Sequence, residues 1–326
     1  HLVSPNAYST LGQRINLPST AMQFKSLARD CLIAEHIGKH ADQRKSVAVV
    51  KQSEGVAKIF AFLTPNYVPI PLDILNEITN SLITESKLGN AECIGWHIDH
   101  SIVTVNYAFT DYAEELSDLY ALPEVMTPCV KLMSSDVGEC SVRAVGYWKT
   151  KTGDIVWDEE FSRSHRGSLS IADICKGVEE EVFDKFEIFP QKLSALSYVK
   201  ITPEKADLTS EDGRKENKAR LIAVYTKVLQ ELGVPAIIGK SRTAQLREAL
   251  SLALIDENES YSAYAVAKDI ISLPRIMKSW WSTSELTGSG LEKFQKAVSK
   301  VVYLDFEKLR ETKPGKKIYL TPDTEE

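Results

Sequence analysis

Residues 129–168, CVKLMSSDVGECSVRAVGYWKTKTGDIVWDEEFSRSHRGS, decide the fold that the sequence predicts. Within them, residues 129–133, 140–148 and 155–157 are rich in valine and aromatic side chains, which is typical of β-strands. The segments between them, SSDVG and KTKTGD, are composed mainly of residues that favour tight turns. The stretch therefore predicts three consecutive strands, and it is the β segment of the chain richest in charged and aromatic residues.

Two further hairpins are predicted before this stretch. Residues 46–50 and 56–63 form the first pair of strands, and residues 92–97 and 102–109 form the second. Apolar residues at spacings of three and four predict helices near 20–37, 72–84 and 170–187. The predicted fold class is therefore α+β, with antiparallel β-hairpins packed on helices.

After residue 200 the sequence changes in character. The polar segment 201–217 is predicted to be a linker, and the apolar periodicity of 218–310 predicts a mainly helical subdomain. Residues 311–326 are rich in lysine, proline and acidic residues, which predicts a flexible tail. The predicted organisation is thus an α+β domain over 1–200, the linker, the helical subdomain and the tail.

The composition narrows the class of protein. The 326 residues carry a formal net charge of −6 and are 43% hydrophobic, which is enough apolar material for a full core. No run approaches the roughly 18 apolar residues of a membrane helix, so no membrane partner is predicted. Five cysteines without a CxxC pair favour a reduced, cytoplasmic location. An acidic chain does not attract nucleic acid globally, but a local basic patch is still able to bind it.

Four short motifs carry a resemblance to a known family. They are YVPIP at 67–71, SSDVGECSVR at 134–143, SHRGS at 164–168 and SAYAVAK at 262–268. With the order of elements over residues 5–270, they resemble the phage- and plasmid-borne domain-of-unknown-function 932 family. That family tends to show a cysteine closely followed by an asparagine near the third strand, where this chain has YWKT. The resemblance implies a phage or plasmid setting, with the host-cell cytoplasm or a virion as the location, and it implies no catalytic residue.

A cluster of basic and aromatic residues is the predicted binding site. Cations hold phosphates and bases stack on aromatic rings, so such a surface suits single-stranded DNA or another polyanion. The predicted site consists of Arg143, Lys149, Lys151, Arg163, His165, Arg166, Trp148 and Trp157. In the alternative interpretation, Trp148 and Trp157 are core or cross-strand partners, and Arg166 fixes a turn by pairing with Asp158 or Glu159.

Metal-binding residue types occur in two groups, which are the pair His36 and His40 and the cluster Cys93, His97, Asp99 and His100. Neither group has the spacing of a tetrahedral zinc site. The basis for a metal-dependent nuclease is the set of acids Asp154, Asp158, Glu159 and Glu160, since carboxylates hold divalent metals. Residues 158–160 are predicted to follow a strand and to lead into a loop, where solvated acids are common. Residues 233–241 end in GKS but lack the correctly placed first glycine of a phosphate loop. The sequence therefore predicts no cofactor, no metal site and no catalytic residue.

The sequence leaves two leading classes of function, with a metal-dependent nuclease as the third alternative. The leading expectation is a non-enzymatic phage or plasmid protein that binds or anneals single-stranded DNA. The alternative is a structural or assembly protein of a phage, or an oligomeric interaction module without nucleic-acid binding, and the acidic net charge favours it. A homo-oligomer is predicted in either case.

Overall fold

The structure is a computed structural model that describes residues 2–15, 17, 26–40, 45–53, 55–84, 88–98, 101–167, 170–250, 255–256, 258–280 and 289–312. The predicted α+β class, with hairpins and helices followed by a mainly helical C-terminal region, is confirmed. Within these ranges, no helix combines the length and the apolar character that crossing a membrane requires.

The first hairpin belongs to a small sheet that a helix covers. The sheet has the order β1-β3-β2 and is formed by β1 Leu2–Val3, β2 Val47–Ser53 and β3 Val56–Leu63, with β1 parallel to β3. Helix α1, Pro5–Arg14, follows β1 directly. The Oγ of Ser4 accepts a hydrogen bond from the Ala7 amide at 3.1 Å and donates one to the Phe60 carbonyl at 2.9 Å. Ser4 therefore caps α1 and also ties its start to β3.

The second hairpin and the strands after it form one antiparallel sheet instead of separate hairpin units. In chain order and in spatial order these strands are β4 Glu92–Ile98, β5 Val103–Ala108, β6 Thr127–Ser134, β7 Val142–Lys149 and β8 Ile155–Arg163. Strand β8 continues beyond the predicted end at residue 157, because Phe161 is buried and extends the apolar face of the strand. The acidic residues 158–160 therefore lie in a strand, and the expectation that they lead into a loop is wrong.

After α1, the helices described in the first 200 residues are α2 Ser26–His40, α3 Leu72–Thr84, α4 Thr110–Leu119, α5 Ile171–Glu181 and α6 Ile188–Leu196. The three helices predicted in this part of the chain correspond to α2, α3 and α5, and two further helices, α4 and α6, accompany them. Part of the predicted first helix, 20–25, lies outside the described residues. The predicted helix at 170–187 ends at Glu181, because a 3₁₀ turn over Phe183–Lys185 places Phe183 and Phe186 in the core.

The C-terminal region is helical, as predicted. Its helices are α7 Glu211–Glu231, α8 Val234–Ile238, α9 Lys240–Ala249, α10 Ala263–Trp280, α11 Ser289–Ser299 and α12 Phe306–Leu309. Helix α7 begins inside the segment predicted as a linker, because Ser210 accepts a hydrogen bond from the Gly213 amide at 3.2 Å and caps the helix. Only the first part of that segment, up to residue 210, is non-helical.

The chain forms two compact units whose segments alternate along the sequence. The first unit comprises His1–Ala108, Val130–Val145 and Glu160–Val182, and the second comprises Phe109–Cys129, Gly146–Glu159 and Phe183–Glu326. Strands β6, β7 and β8 each contribute residues to both units. These units do not show which segments fold independently. The division into domains 1–200 and 218–310 therefore stays a prediction.

Candidate anion-binding site

The predicted basic and aromatic residues are divided between the two units. Arg143, Arg163, His165 and Arg166 belong to the first unit, and Trp148, Lys149, Lys151 and Trp157 belong to the second. The arrangement within each unit decides which of these residues are accessible to a ligand.

The two tryptophans are packing residues of the second unit. Trp148 is 0% exposed, its ring stacks on Phe189 with 5.3 Å between the centroids, and its indole nitrogen donates to Asp158 at 3.2 Å. The half-buried ring of Trp157 lies 5.5 Å from that of Tyr147, and the Lys296 ammonium lies 5.3 Å from the Trp157 ring centre. Trp148 therefore offers no ring face to a base, in agreement with the alternative interpretation of this residue. Lys149 and Lys151 are exposed.

Arg143 is held by an ion pair across the sheet. Its Nε donates to Glu160 Oε1 at 2.8 Å, and its Nη2 lies 2.6 Å from the same oxygen. The neighbouring pair in the same register, Ser141 and Ser162, shares a hydrogen bond of 2.7 Å. The charge of Arg143 is thus already compensated, although the residue lies on the same sheet face as Ser141.

Arg163 lies on the other face of β8. Side chains alternate along a strand, so Arg163 shares a face with Phe161, which packs against Gly177 of α5. Ser162 has the opposite orientation. Arg163 is exposed, but it does not lie on the face of the sheet that carries Ser141, Arg143 and Ser162.

The first unit contains a cleft of about 480 Å³, which two of the predicted site residues, His165 and Arg166, help to line. We call it the first-unit cleft. It is lined by residues of α1, the end of β3, the turn after β6 and the end of β8: Thr10, Gln13, Arg14, Phe62, Leu63, Thr64, Tyr67, Gly138, Glu139, Cys140, Ser141, Ser164, His165 and Arg166. Gly138 has φ of +78°, and a Cβ there would lie 2.7 Å from Leu63 Cδ2, so the turn can approach β3 only with glycine.

His165 forms the buried wall of the cleft. The residue is 4% exposed, and its ring stacks on Tyr67 with 5.0 Å between centroids and 14° between planes. Its Nδ1 lies 2.9 Å from the Val68 carbonyl, so in the neutral ring Nδ1 carries the hydrogen and donates. The buried Nε2 has no hydrogen-bond partner among the described residues.

The environment keeps this imidazole neutral. Burial lowers the pKa of His165, and the Val68 carbonyl and the Asp136 carboxylate oppose that shift only in part. The Cys140 carbonyl also favours the charged ring, but it makes no hydrogen bond to Nε2 of adequate geometry. In this neutral ring Nε2 is an acceptor, so a donor group of a ligand would supply its missing partner.

Two arginines provide the positive charge of the cleft. Arg14 donates from Nε to Ser46 Oγ at 3.1 Å and from Nη2 to the Lys45 carbonyl at 2.7 Å. These bonds hold the guanidinium in place, and Nη1 has no partner in the described part of the chain. Arg166 is exposed and forms no ion pair with any residue that the structure describes.

The carboxylates proposed as partners of Arg166 have other partners. Asp158 accepts from Trp148 and from Tyr303, and Glu159 lies 3.7 Å from the Lys185 ammonium. The alternative interpretation of Arg166 as a turn-fixing residue therefore gains no support.

Sequence reasoning identified one side of the cleft and missed the other. His165 and Arg166 were predicted site residues, whereas Arg14, Thr10 and Thr64 were not. The missed residues lie far from the predicted cluster in the sequence, and only the YVPIP motif, which begins at Tyr67, drew attention to that part of the chain.

The candidate metal ligands do not converge. Residues of the types His, Cys, Asp and Glu form no group of three or more that could hold a metal within the described ranges. The strand register shifts between Cys93 and Gly95, so Cys93 lies opposite Tyr107 while His97 lies opposite Thr104, on the other face. Asp99, His100 and the side chain of His40 lie outside the described residues. The absence of bound zinc stays a prediction.

The phosphate-loop alternative is not supported either. Residues 233–241 form α8 and the start of α9, and the element before them is the helix α7. A phosphate loop connects a strand to a helix, which this segment does not do.

Comparison with protein-family models, curated proteins and solved structures finds no match. The resemblance to the phage and plasmid family therefore stays a prediction.

Proposed function

We propose that the protein binds single-stranded DNA through the first-unit cleft and acts as a binding protein without catalysing a reaction. The observation that carries the proposal is the meeting of Arg14 and Arg166 in one cleft of an otherwise acidic chain. Glu139 is the single carboxylate of the lining, so the cleft has a net positive charge. The phage or plasmid setting comes from the sequence resemblance alone.

Phosphate contacts carry this binding mode. The hydroxyl groups of Thr10, Thr64, Ser141 and Ser164 line the cleft beside the arginines, and hydroxyls and guanidinium groups are common phosphate donors. The one exposed edge of the aromatic pair belongs to Tyr67, since its stacked partner His165 is buried. We therefore expect affinity that depends strongly on salt and weakly on sequence.

The chemistry of the cleft supports binding over catalysis. Burial raises the pKa of the Cys140 thiol, so the thiolate that a nucleophile requires is disfavoured. A hydrolytic activity abolished by a single substitution in the cleft would contradict the proposal.

Fluorescence anisotropy with a labelled single-stranded oligonucleotide tests the proposal. Each phosphate contact on a single strand contributes about 0.7 log units of affinity per tenfold change in salt. The double variant Arg14→Gln/Arg166→Gln should flatten the salt dependence by roughly one unit or more.

The matched control is Lys149→Gln/Lys151→Gln, which removes the same charge from exposed residues of the second unit. The control should bind like the unmodified protein. Equal binding by the arginine variant, or a loss seen only in the lysine variant, would contradict the assignment to the first-unit cleft.

A second candidate function, the oligomeric interaction module, is favoured by the edge strand β4. Trp96 is 70% exposed, Ile98 47% and Ile94 41%, which is unusual for a sheet edge. Because of the irregular register near Ile94, Trp96 and Ile98 lie opposite Val105 and Val103 and form one apolar face with them. An unpaired strand with such a face is a ready template for pairing.

The occupant that we propose for this edge is β4 of a second copy, paired antiparallel about a twofold axis. In the register that places Glu92 of one copy opposite His97 of the other, acid and imidazole alternate across the axis and the apolar faces coincide. The hydrogen bond that a carboxylate and an imidazole are able to form at both ends of this pairing supports this occupant.

Light scattering during size-exclusion chromatography tests this pairing. We expect the unmodified protein to be a dimer and Trp96→Glu to be a monomer, since a carboxylate would be desolvated at the interface. Tyr198→Glu, at a residue that is 80% exposed in the second unit, is the control and should remain dimeric. A monomeric unmodified protein, or an oligomer that survives Trp96→Glu, would exclude this interface.

A further inference from the structure

The second unit contains a cavity of about 200 Å³, which shares no lining residue with the first-unit cleft. We call it the second-unit cavity. One stripe of α10 provides much of its wall, because Tyr264, Lys268, Ile271 and Arg275 recur at helical spacing. Met126 and Leu193 add an apolar surface to this wall.

Both cations of the cavity are already compensated. The Lys268 ammonium lies 3.1 Å from Glu124 Oε2. Arg275 makes a bidentate pair with Asp154, at 2.8 Å from Nε and 3.2 Å from Nη2. The Asp154 side chain is only 5% exposed and also accepts from Thr152 at 2.8 Å. These two pairs leave no net charge.

The remaining charged group of the lining is Asp269. Its carboxylate accepts a hydrogen bond from the Tyr225 hydroxyl, but it forms no ion pair with any residue that the structure describes. Burial raises the pKa of Asp269 to about 6, and the hydrogen bond from Tyr225 and the charge of Lys268 counteract only part of that shift. A cationic group beside the Asp269 carboxylate would offset the free-energy cost of burying its charge.

The second acceptor of the cavity is the hydroxyl of Tyr264. Tyr264 is 9% exposed, and its hydroxyl makes no hydrogen bond within the described residues. Burial raises the pKa of this phenol, so the group is a neutral hydroxyl that is able to accept a hydrogen bond. The hydroxyl is not one of the buried atoms that lack a partner, so it is accessible to a ligand in the cavity.

We propose that the second-unit cavity binds a small primary amine, whose ammonium group contacts the Asp269 carboxylate and the Tyr264 hydroxyl while its carbon chain lies on Met126, Leu193 and Ile271. An ammonium group has three donors and no acceptor, which suits a lining that offers the Asp269 carboxylate and the Tyr264 hydroxyl as acceptors. The volume is below the range of about 300–1,000 Å³ that is usual for drug-sized ligands, so the ligand has few heavy atoms. An anionic ligand is disfavoured, because the uncompensated charge is negative.

Calorimetric titration of the full chain with n-butylamine tests the proposal, with n-butanol as the uncharged probe of similar shape. The amine should bind and the alcohol should not. Asp269→Asn should weaken binding of the amine by about tenfold or more, which corresponds to about 1.4 kcal/mol. Asparagine is still able to accept from Tyr225, so the packing of the helix is retained.

Two further variants separate binding from folding. Tyr264→Phe should weaken binding severalfold, whereas Asp212→Asn, at an exposed acid of α7, should leave it unchanged. Thermal unfolding establishes that each variant is folded before it is titrated. Absence of amine binding to the unmodified protein, equal binding of butanol, or unchanged binding by Asp269→Asn would each overturn the proposal. None of these outcomes depends on whether the first-unit cleft binds DNA.

Discussion

His165 is both a cleft residue and a titratable group buried in its neutral form. Its pKa in the folded protein is lowered from the ordinary 6.5, so the unfolded chain binds more protons in the pH window just below 6.5. The contribution of His165 to the free energy of unfolding therefore has its full value above pH 6.5, and it decreases as the pH falls below 6.5. The size of the effect is about 1.4 kcal/mol for each unit by which the pKa is lowered.

Urea unfolding at pH 7.5 and pH 5.5 measures this dependence. We expect the unmodified protein to lose more stability on acidification than the variant His165→Gln, which has no titrating ring. Asp269 acts with the opposite sign, because its raised pKa makes the folded state bind more protons between 3.8 and about 6. It is present in both proteins, so the difference between them isolates His165. Identical pH profiles would show that the ring is not buried as described.

At the scale of single elements, the contact of α5 with β8 depends on a glycine. A Cβ on Gly177 would lie 2.3 Å from Cε2 of the buried Phe161 ring. Alanine is favoured over glycine in a helix interior by about 1 kcal/mol, but overpacking of a core costs typically 1–3 kcal/mol. We expect Gly177→Ala to be destabilising, as measured by the midpoint of chemical denaturation.

Gly290→Ala is the matched comparison, since Gly290 lies in α11 and a Cβ there meets nothing within 4 Å. This variant should be neutral or slightly more stable. If both glycine variants gained stability, the close packing of α5 on Phe161 would be refuted.

Sequence patterns predict some of these elements and miss others. Hairpins and helices with a regular apolar period, such as α3 Leu72–Thr84, were predicted within a residue or two. The second half of β8 was not, because three consecutive acids are typical of solvated turns.

Partners that are distant in sequence make this strand stable. Asp158 accepts from Trp148 and Tyr303, and Glu160 pairs with Arg143. A local sequence pattern contains no information on such partners, so it could not predict that these acidic residues lie in a strand.

At the scale of the whole molecule, the candidate site illustrates the same limit. The cleft joins residues of α1 and β3, and Thr64, to two segments, 138–141 and 164–166, that lie between 74 positions (Thr64 to Gly138) and 156 positions (Thr10 to Arg166) later in the sequence. Sequence reasoning found the basic residues near His165 by their density, but it could not separate the paired Arg143 and the buried Trp148 from the accessible Arg166. Pairing and burial are properties of the folded chain, and they determine which charges are available to a ligand.

The alternation of the two units along the chain also has a consequence for biosynthesis. The first unit draws its last segment from Glu160–Val182, so it is complete only when that segment has left the ribosome. The segments Phe109–Cys129 and Gly146–Glu159 emerge earlier, yet most of their unit, Phe183–Glu326, is translated afterwards. Apolar residues of these early segments, such as Met126 and Trp148, are therefore exposed on the nascent chain until translation is well advanced, which gives cellular chaperones a defined interval in which to act.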